Sequence, residues 1–186
     1  MNSGACTLEG VRLRLLFPGE TIAARVRELA AQINRDYAGR TLLLVGVLKG
    51  AFVFLADLMR QLCIPVEVEF VRLLSYGSRT TTAGYVRSRQ DLERPVAGRD
   101  VLIVEDLLDT GLTLQYLLQQ LHTREPASLK VCVLLRKHGR LQHTLSPDYV
   151  GFEVGDGFVV GYGIDYAEQY RHLPDLYTLT WPSPPL

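Results

Sequence analysis

The sequence predicts an α/β fold: a mainly parallel sheet flanked by helices. Leu42–Leu48, Val101–Val104 and Ser128–Leu135 are short apolar runs rich in branched residues, the pattern of strands buried on both faces. Helix-length segments separate them, and strands alternating with helices indicate βαβ units. After one of these strands comes a cluster of acids and hydroxyls, Glu105-Asp106-Leu107-Leu108-Asp109-Thr110-Gly111-Leu112-Thr113. Open α/β sheets bind their ligands at that place, beyond the carboxyl end of a strand.

With 186 residues the chain has the length of one compact domain, taken here as residues 1–186. A hydrophobic content of 47% supports a substantial core and excludes disorder as the dominant state. Twenty basic side chains balance 20 acidic ones, so there is no electrostatic footprint for nucleic acid. No apolar run approaches the ~18–20 residues of a membrane span, and Met1–Cys6 lacks the apolar segment of a signal peptide. Cys6, Cys63 and Cys132 have neither metal nor redox spacing. A cytoplasmic protein with no membrane partner is expected.

Taken in order, Val11–Phe17 reads as a short strand, ended by Pro18-Gly19. Glu20–Tyr37 places Ile22, Val26, Leu29, Ala30 and Ile33 on one helical face, and Gly39 stops it. The Leu42–Leu48 strand runs into Lys49-Gly50, a candidate anion site. Ala51–Leu62 is apolar on almost every side, which predicts a helix sandwiched between layers. Val66–Leu74 is the next strand. Residues 75–84, beginning Ser75-Tyr76, are small and polar without apolar anchors, and Tyr85-Val86-Arg87 is a candidate returning hairpin arm. Long loops of this kind are uncommon unless functional. A polar connection, Asp91–Asp100, leads to the Val101–Val104 strand and the acidic loop. Leu114, Leu117, Leu118 and Leu121 then give the stripe of a helix. Ser128–Leu135 ends in Arg136-Lys137, and the alternation puts Lys137 at the same sheet edge as Asp109 and Lys49.

The acidic loop divides into two chemical halves. Thr110, Gly111, Leu112 and Thr113 stand where a helix begins, with unpaired N–H groups and the positive end of the dipole outward. That half suits a phosphate. Glu105 and Asp106 suit sugar hydroxyls or a hydrated divalent cation. Asp109 lies between them. A molecule with a phosphate at one end, a diol beside it and a reacting centre between is a ribose 5-phosphate.

The string VLIVEDLLDTGLT resembles the phosphoribosyl-pyrophosphate (PRPP) signature of type I phosphoribosyltransferases, and residues 10 to 180 are similar to the bacterial hypoxanthine-guanine phosphoribosyltransferase family. The resemblance implies the type I phosphoribosyltransferase fold, with a flap over residues 75–88. It also implies a small hood from residues 149–186 plus the N-terminal strand. It implies Mg²⁺-dependent transfer of phosphoribose from PRPP to N9 of hypoxanthine or guanine, and a homodimer or homotetramer. Residue by residue, it implies Asp109 as general base, and Glu105 and Asp106 at the ribose diol and its metal-bound water. Residues 109–113 would take the 5′-phosphate, and Lys49, Gly50 and Arg171 the pyrophosphate. Lys137, Phe158, Val159 and Asp165 would surround the purine, with Phe158 stacked on it and Asp165 holding a second Mg²⁺. Ser75 and Tyr76 would belong to the closing flap. Family members often carry a cis peptide at the position of Leu48–Lys49.

Lys137 bears on the choice of base. An ammonium donates three hydrogen bonds and accepts none, so it favours a 6-oxopurine over adenine. Leu112, Gly157 and Ala51 depart from the family pattern, where a polar or basic residue, a larger residue and Gly or Ser are common. They bear on affinity. Rival readings are a phosphoribosyltransferase for xanthine, adenine or orotate, and a non-enzymatic PRPP or nucleotide sensor. A sensor would need neither Asp109 nor Lys137.

Overall fold

A computed structural model describes residues 11–75, 86–90, 92–138 and 145–181. Six strands form the main sheet: β2 (Leu42–Leu48), β3 (Val66–Ser75), β4 (Val86–Gln90), β5 (Asp100–Leu108), β6 (Ser128–Lys137) and β7 (Tyr149–Val154). Their spatial order is β4-β3-β2-β5-β6-β7. All neighbours pair in parallel except β4, which returns antiparallel against β3 as the expected hairpin arm.

Period-two alternation sorts the sheet's side chains onto two cores. Leu42, Leu44, Leu102, Val104, Cys132 and Leu134 face α1 (Gly19–Asp36) and α2 (Phe52–Met59). Leu43, Val45, Val101, Ile103, Val131 and Val133 face α3 (Leu112–His122), which contributes Leu114, Leu117 and Leu121. The continuous apolar runs of β2 and β5 follow from this, because a strand covered on both sides has no polar face.

The structure differs from the sequence reading at three places. Strand β5 does not stop at Val104: its ladder continues through Glu105↔Val133 and Leu107↔Leu135, so Glu105 and Asp106 lie on the strand rather than in a loop. The long partner β6 supplies the ladder that draws the acids in. Second, α2 is shorter than Ala51–Leu62 and buries one face only. Phe54, Leu55 and Leu58 are buried, while Phe52 and Met59 are exposed. Apolar content alone does not say which side a neighbour covers. Third, Tyr149–Val154, placed with the hood by the sequence, is an edge strand of the main sheet, at the end opposite β4.

A second, antiparallel sheet has the order β1-β9-β8, from β1 (Arg12–Phe17), β9 (Leu176–Thr180) and β8 (Phe158–Val160). The first strand of the chain is thus paired with the last, and together they hold β8. Side chains tie this small sheet and its loops to the main body. Asp175 accepts the Gly19 N–H at the start of α1 (2.7 Å), and the Tyr162 hydroxyl donates to Asp57 of α2 (2.6 Å). These bonds join the small sheet and its loops, the hood, to α1 and α2.

Candidate active site

The carboxyl ends of β2 and β5 and the start of α3 enclose a cavity of about 240 Å³. Its lining includes Gly50, Glu105, Asp106, Asp109, Thr110, Gly111 and Thr113. Gly111 is the N-cap of α3 at φ +83°, the left-handed region that disfavours side chains, and it turns the chain from strand into helix. Among the described residues no side chain caps this helix start, and its N–H groups and dipole face the cavity side. Leu112 is exposed on the first turn and is not part of the lining.

The two acids of β5 have different surroundings. Asp106 presses against the loop after β2. A Cβ added to Gly50 would meet Asp106 Oδ2 at 1.8 Å, so a side chain there would displace this carboxylate. Glu105 has Oε2 shut off from solvent with no hydrogen-bond partner among the described residues. Burial holds the Glu105 carboxyl well above the usual range, and the charge of Asp106 adds to the effect. Two adjacent carboxyls, one of them with an unmet oxygen, form a donor set that fits a ribose diol or a water-bearing divalent cation. Among the described residues no group of three or more His, Cys, Asp or Glu converges as a metal cage. Asp165 lies apart from this pair: its Oδ1 meets Arg171 Nη2 at 2.6 Å and its Oδ2 accepts the Glu168 N–H at 2.8 Å.

Strand register brings Lys137 to Asp109. Leu108, the last residue of β5, pairs with Arg136, so Asp109 just beyond it comes beside Lys137 at the end of β6. Lys137 Nζ lies 3.2 Å from Asp109 Oδ2. Lys137 is 5% exposed, the buried charged residue among those described, and this pair is its counter-charge. A buried ammonium without such a partner would be costly.

A second ionic group forms where the hood meets the loop after β2. The Leu48–Lys49 peptide is cis. Lys49 Nζ reaches the Glu168 carboxylate at 2.9 and 3.0 Å. Arg171 donates to the Gly163 carbonyl at 2.8 Å, pairs with Asp165, and approaches Glu168 at 3.4 Å. Hydrogen bonds from Lys49, then Arg171, hold the Glu168 carboxyl below its ordinary value. The hood loop is tightly wound here, with left-handed backbone at Tyr162, Ala167, Glu168 and Tyr170. Sequence reasoning missed Glu168. Its only signal was spacing, Asp165-x-x-Glu168-x-x-Arg171, which resembles an ordinary charged surface turn.

Phe158 opens β8 and leaves 56% of its surface exposed, while Val159 is buried. Ser75 closes β3; Tyr76 and the rest of the expected flap tip lie outside the described residues.

The structure therefore gathers Glu105, Asp106, Asp109, Thr110, Gly111 and Thr113 about one cavity, with Lys137 joined to it through Asp109. Lys49, Asp165 and Arg171 form a neighbouring cluster against Gly50. Known proteins are similar to this chain over most of its length. The model of the phosphoribosyl transferase domain matches residues 16–167. A hypoxanthine-guanine phosphoribosyltransferase of Mycobacterium tuberculosis is 48% identical over 171 residues, covering 89% of this chain and 85% of its own. A hypoxanthine phosphoribosyltransferase of Salmonella typhimurium is 46% identical over 164 residues, covering 87% and 92%. Among solved structures, a hypoxanthine phosphoribosyltransferase from Staphylococcus aureus superposes with a TM-score of 0.89 at 36% identity, covering 96% of this chain and 97% of that one. A domain match over most of the chain, relatives near half identity and a shared fold agree: this chain belongs to the phosphoribosyltransferase family.

Proposed function

We infer that the protein is a purine-salvage enzyme. It transfers the 5-phosphoribosyl group of PRPP to N9 of hypoxanthine or guanine, giving IMP or GMP and pyrophosphate. The observation that carries this reading is the Lys137–Asp109 pair, 3.2 Å apart at the edge of the cavity. An ammonium has three protons to donate and Asp109 takes one. The remaining donors suit the O6 acceptor of a 6-oxopurine and leave adenine, with its 6-amino group, mismatched. Asp109 is thereby held where a purine imidazole edge would lie.

In the reaction the purine nitrogen forms a bond to C1 of the ribose as the C1–O bond breaks. The electron pair leaves with pyrophosphate, and the imidazole proton passes to Asp109. The centre is oxocarbenium-like, as in glycoside cleavage, so positioning and charge stabilisation do most of the work. The α3 N-terminus with Thr110, Gly111, Leu112 and Thr113 anchors the 5′-phosphate. Glu105 and Asp106 orient the 2- and 3-hydroxyls. Lys49, Gly50 and Arg171 receive the leaving pyrophosphate, which must take Glu168's place beside both cations. Phe158 stacks on the purine, the Val159 backbone meets its edge, and Ser75 and Tyr76 close over the ribosyl centre.

Mg²⁺ is the cofactor proposed, held by Glu105 and Asp106, with Asp165 at a second ion, together with substrate oxygens; bound, it supplies charge neutralisation at the pyrophosphate. An ion of this kind keeps several of its waters and needs only one or two protein carboxylates. A homodimer or homotetramer in the cytoplasm completes the reading, with light scattering as the measurement of assembly size.

The deciding experiment is a base panel. Hypoxanthine, guanine, xanthine and adenine are each supplied with PRPP and Mg²⁺, and pyrophosphate release is followed. Turnover with the first two is expected. Turnover with adenine alone, or with none, overturns the reading. Asp109→Asn should bind PRPP nearly normally and lose at least ~100-fold in kcat, the usual scale of a proton-transfer group; full turnover would remove Asp109 from that role.

A further inference from the structure

Behind the exposed ring of Phe158 stand two more aromatic side chains. Phe158 meets Trp181 edge-on, with ring centroids 5.4 Å apart at 81°, and Tyr166 at 5.7 Å and 73°. Tyr166 and Trp181 meet each other at 5.8 Å and 68°. Each ring therefore touches the other two in the edge-to-face geometry that aromatic quadrupoles prefer. The register of the small sheet explains how the triangle forms. Phe158 is paired with Leu179, and Trp181 follows two residues later on the same face, the diagonal position within reach of a large side chain. Tyr166 comes from the tightly turned hood loop one residue after Asp165, which Arg171 holds.

This arrangement is more than core packing. Phe158 is 56% exposed and Trp181 46% exposed, so neither is a ring sealed in the interior. The small sheet's own core is Val11, Val160, Tyr170 and Leu179, with Tyr166 packed against it, and neither Phe158 nor Trp181 belongs to it. Phe158 begins a strand of only three residues, and much of its side-chain order must come from what it touches.

We propose that Trp181 is a positioning residue for the purine: it fixes the Phe158 ring in the orientation on which the base stacks. The proposal rests on the reading of Phe158 as the stacking ring, and deepens it. A fixed ring meets its ligand without losing rotamer freedom on binding, so the benefit falls on affinity for the base. It leaves PRPP affinity and the chemical step alone, because Trp181 touches neither the cavity at α3 nor the Lys49–Glu168–Arg171 group.

The test uses the full-length protein. Trp181→Leu should raise the KM for hypoxanthine and guanine about 3- to 10-fold, the equivalent of losing one aromatic pair, with the KM for PRPP and kcat within twofold of wild type. Trp181→Phe, which keeps a ring, should restore most of the loss. Trp181 is the single tryptophan among 186 residues, so its fluorescence reports on this place alone. Titration of the wild-type protein with GMP should change that emission and saturate at the concentration at which GMP inhibits turnover. A Trp181→Leu variant with unaltered purine KM, or with purine and PRPP KM raised equally, overturns the proposal. So does tryptophan emission indifferent to GMP, a readout that stands even if Trp181→Leu fails to fold. Phe158→Leu separates the two levels. If it leaves the purine KM unchanged, the stacking reading itself fails; if it raises that KM while Trp181→Leu does not, only the role of Trp181 falls.

Discussion

At the scale of single residues, Lys137 is the side chain whose environment says most. It ends β6, is buried, and has Asp109 as its counter-charge at 3.2 Å. Lys137→Met keeps the stem's apolar packing and removes the charge. A charge-assisted hydrogen bond to a buried acceptor contributes ~1.5–3 kcal/mol, so kcat/KM for hypoxanthine should fall about 10- to 100-fold. The gap between hypoxanthine and adenine should narrow at the same time. Steady-state kinetics with both bases checks this; a variant that loses rate on both bases equally would show that Lys137 serves the fold instead of selecting the base.

At the scale of elements, the strand–turn–helix unit β5–α3 depends on Gly111. A side chain at φ +83° costs ~1–2 kcal/mol in the left-handed region. Gly111→Ala should therefore lower the denaturant midpoint without altering the m-value, and raise the KM for PRPP by displacing the α3 N-terminus. Much of this unit was legible in the sequence. The apolar run, the Gly and the leucine stripe of α3 each follow from a local rule. Where β5 ends was not legible, because Glu105 and Asp106 are strand residues only by virtue of β6 alongside. The contact between Lys137 and Asp109 is likewise a property of register, and these residues lie 28 positions apart. Phe52 and Met59 show the same limit on α2: their apolarity was plain, their exposure was not. Glu168 was hidden for another reason, since its partner Lys49 is 119 residues away and nothing local marks the pair.

At the scale of the whole molecule, distant segments are joined by polar links whose effect depends on pH. Tyr149, the first residue of β7, donates its hydroxyl to Asp36 at the end of α1, and this bond, with help from Lys130, holds the Asp36 carboxyl below its ordinary 3.8. The folded protein then binds fewer protons than the unfolded chain between the two values. The link stabilises above pH 3.8 and is lost as pH falls through the lowered value. Tyr149→Phe should cost about 1 kcal/mol near neutrality, a typical net hydrogen bond, and the difference from wild type should shrink in acid. Urea unfolding at a series of pH values measures it; a constant difference down to strongly acid pH would assign the loss to packing.

The seam between hood and main body carries a last consequence. A Cβ on Gly163 would lie 2.5 Å from the Gly50 carbonyl oxygen, and Gly50 is flanked on its other side by Asp106. Three segments more than fifty residues apart in sequence thus meet with no room for one extra carbon atom. Any group added at Gly163 would act as a wedge, prising the hood from the loop after β2. Engineers seeking a roomier cavity should leave this seam untouched and widen the opening elsewhere.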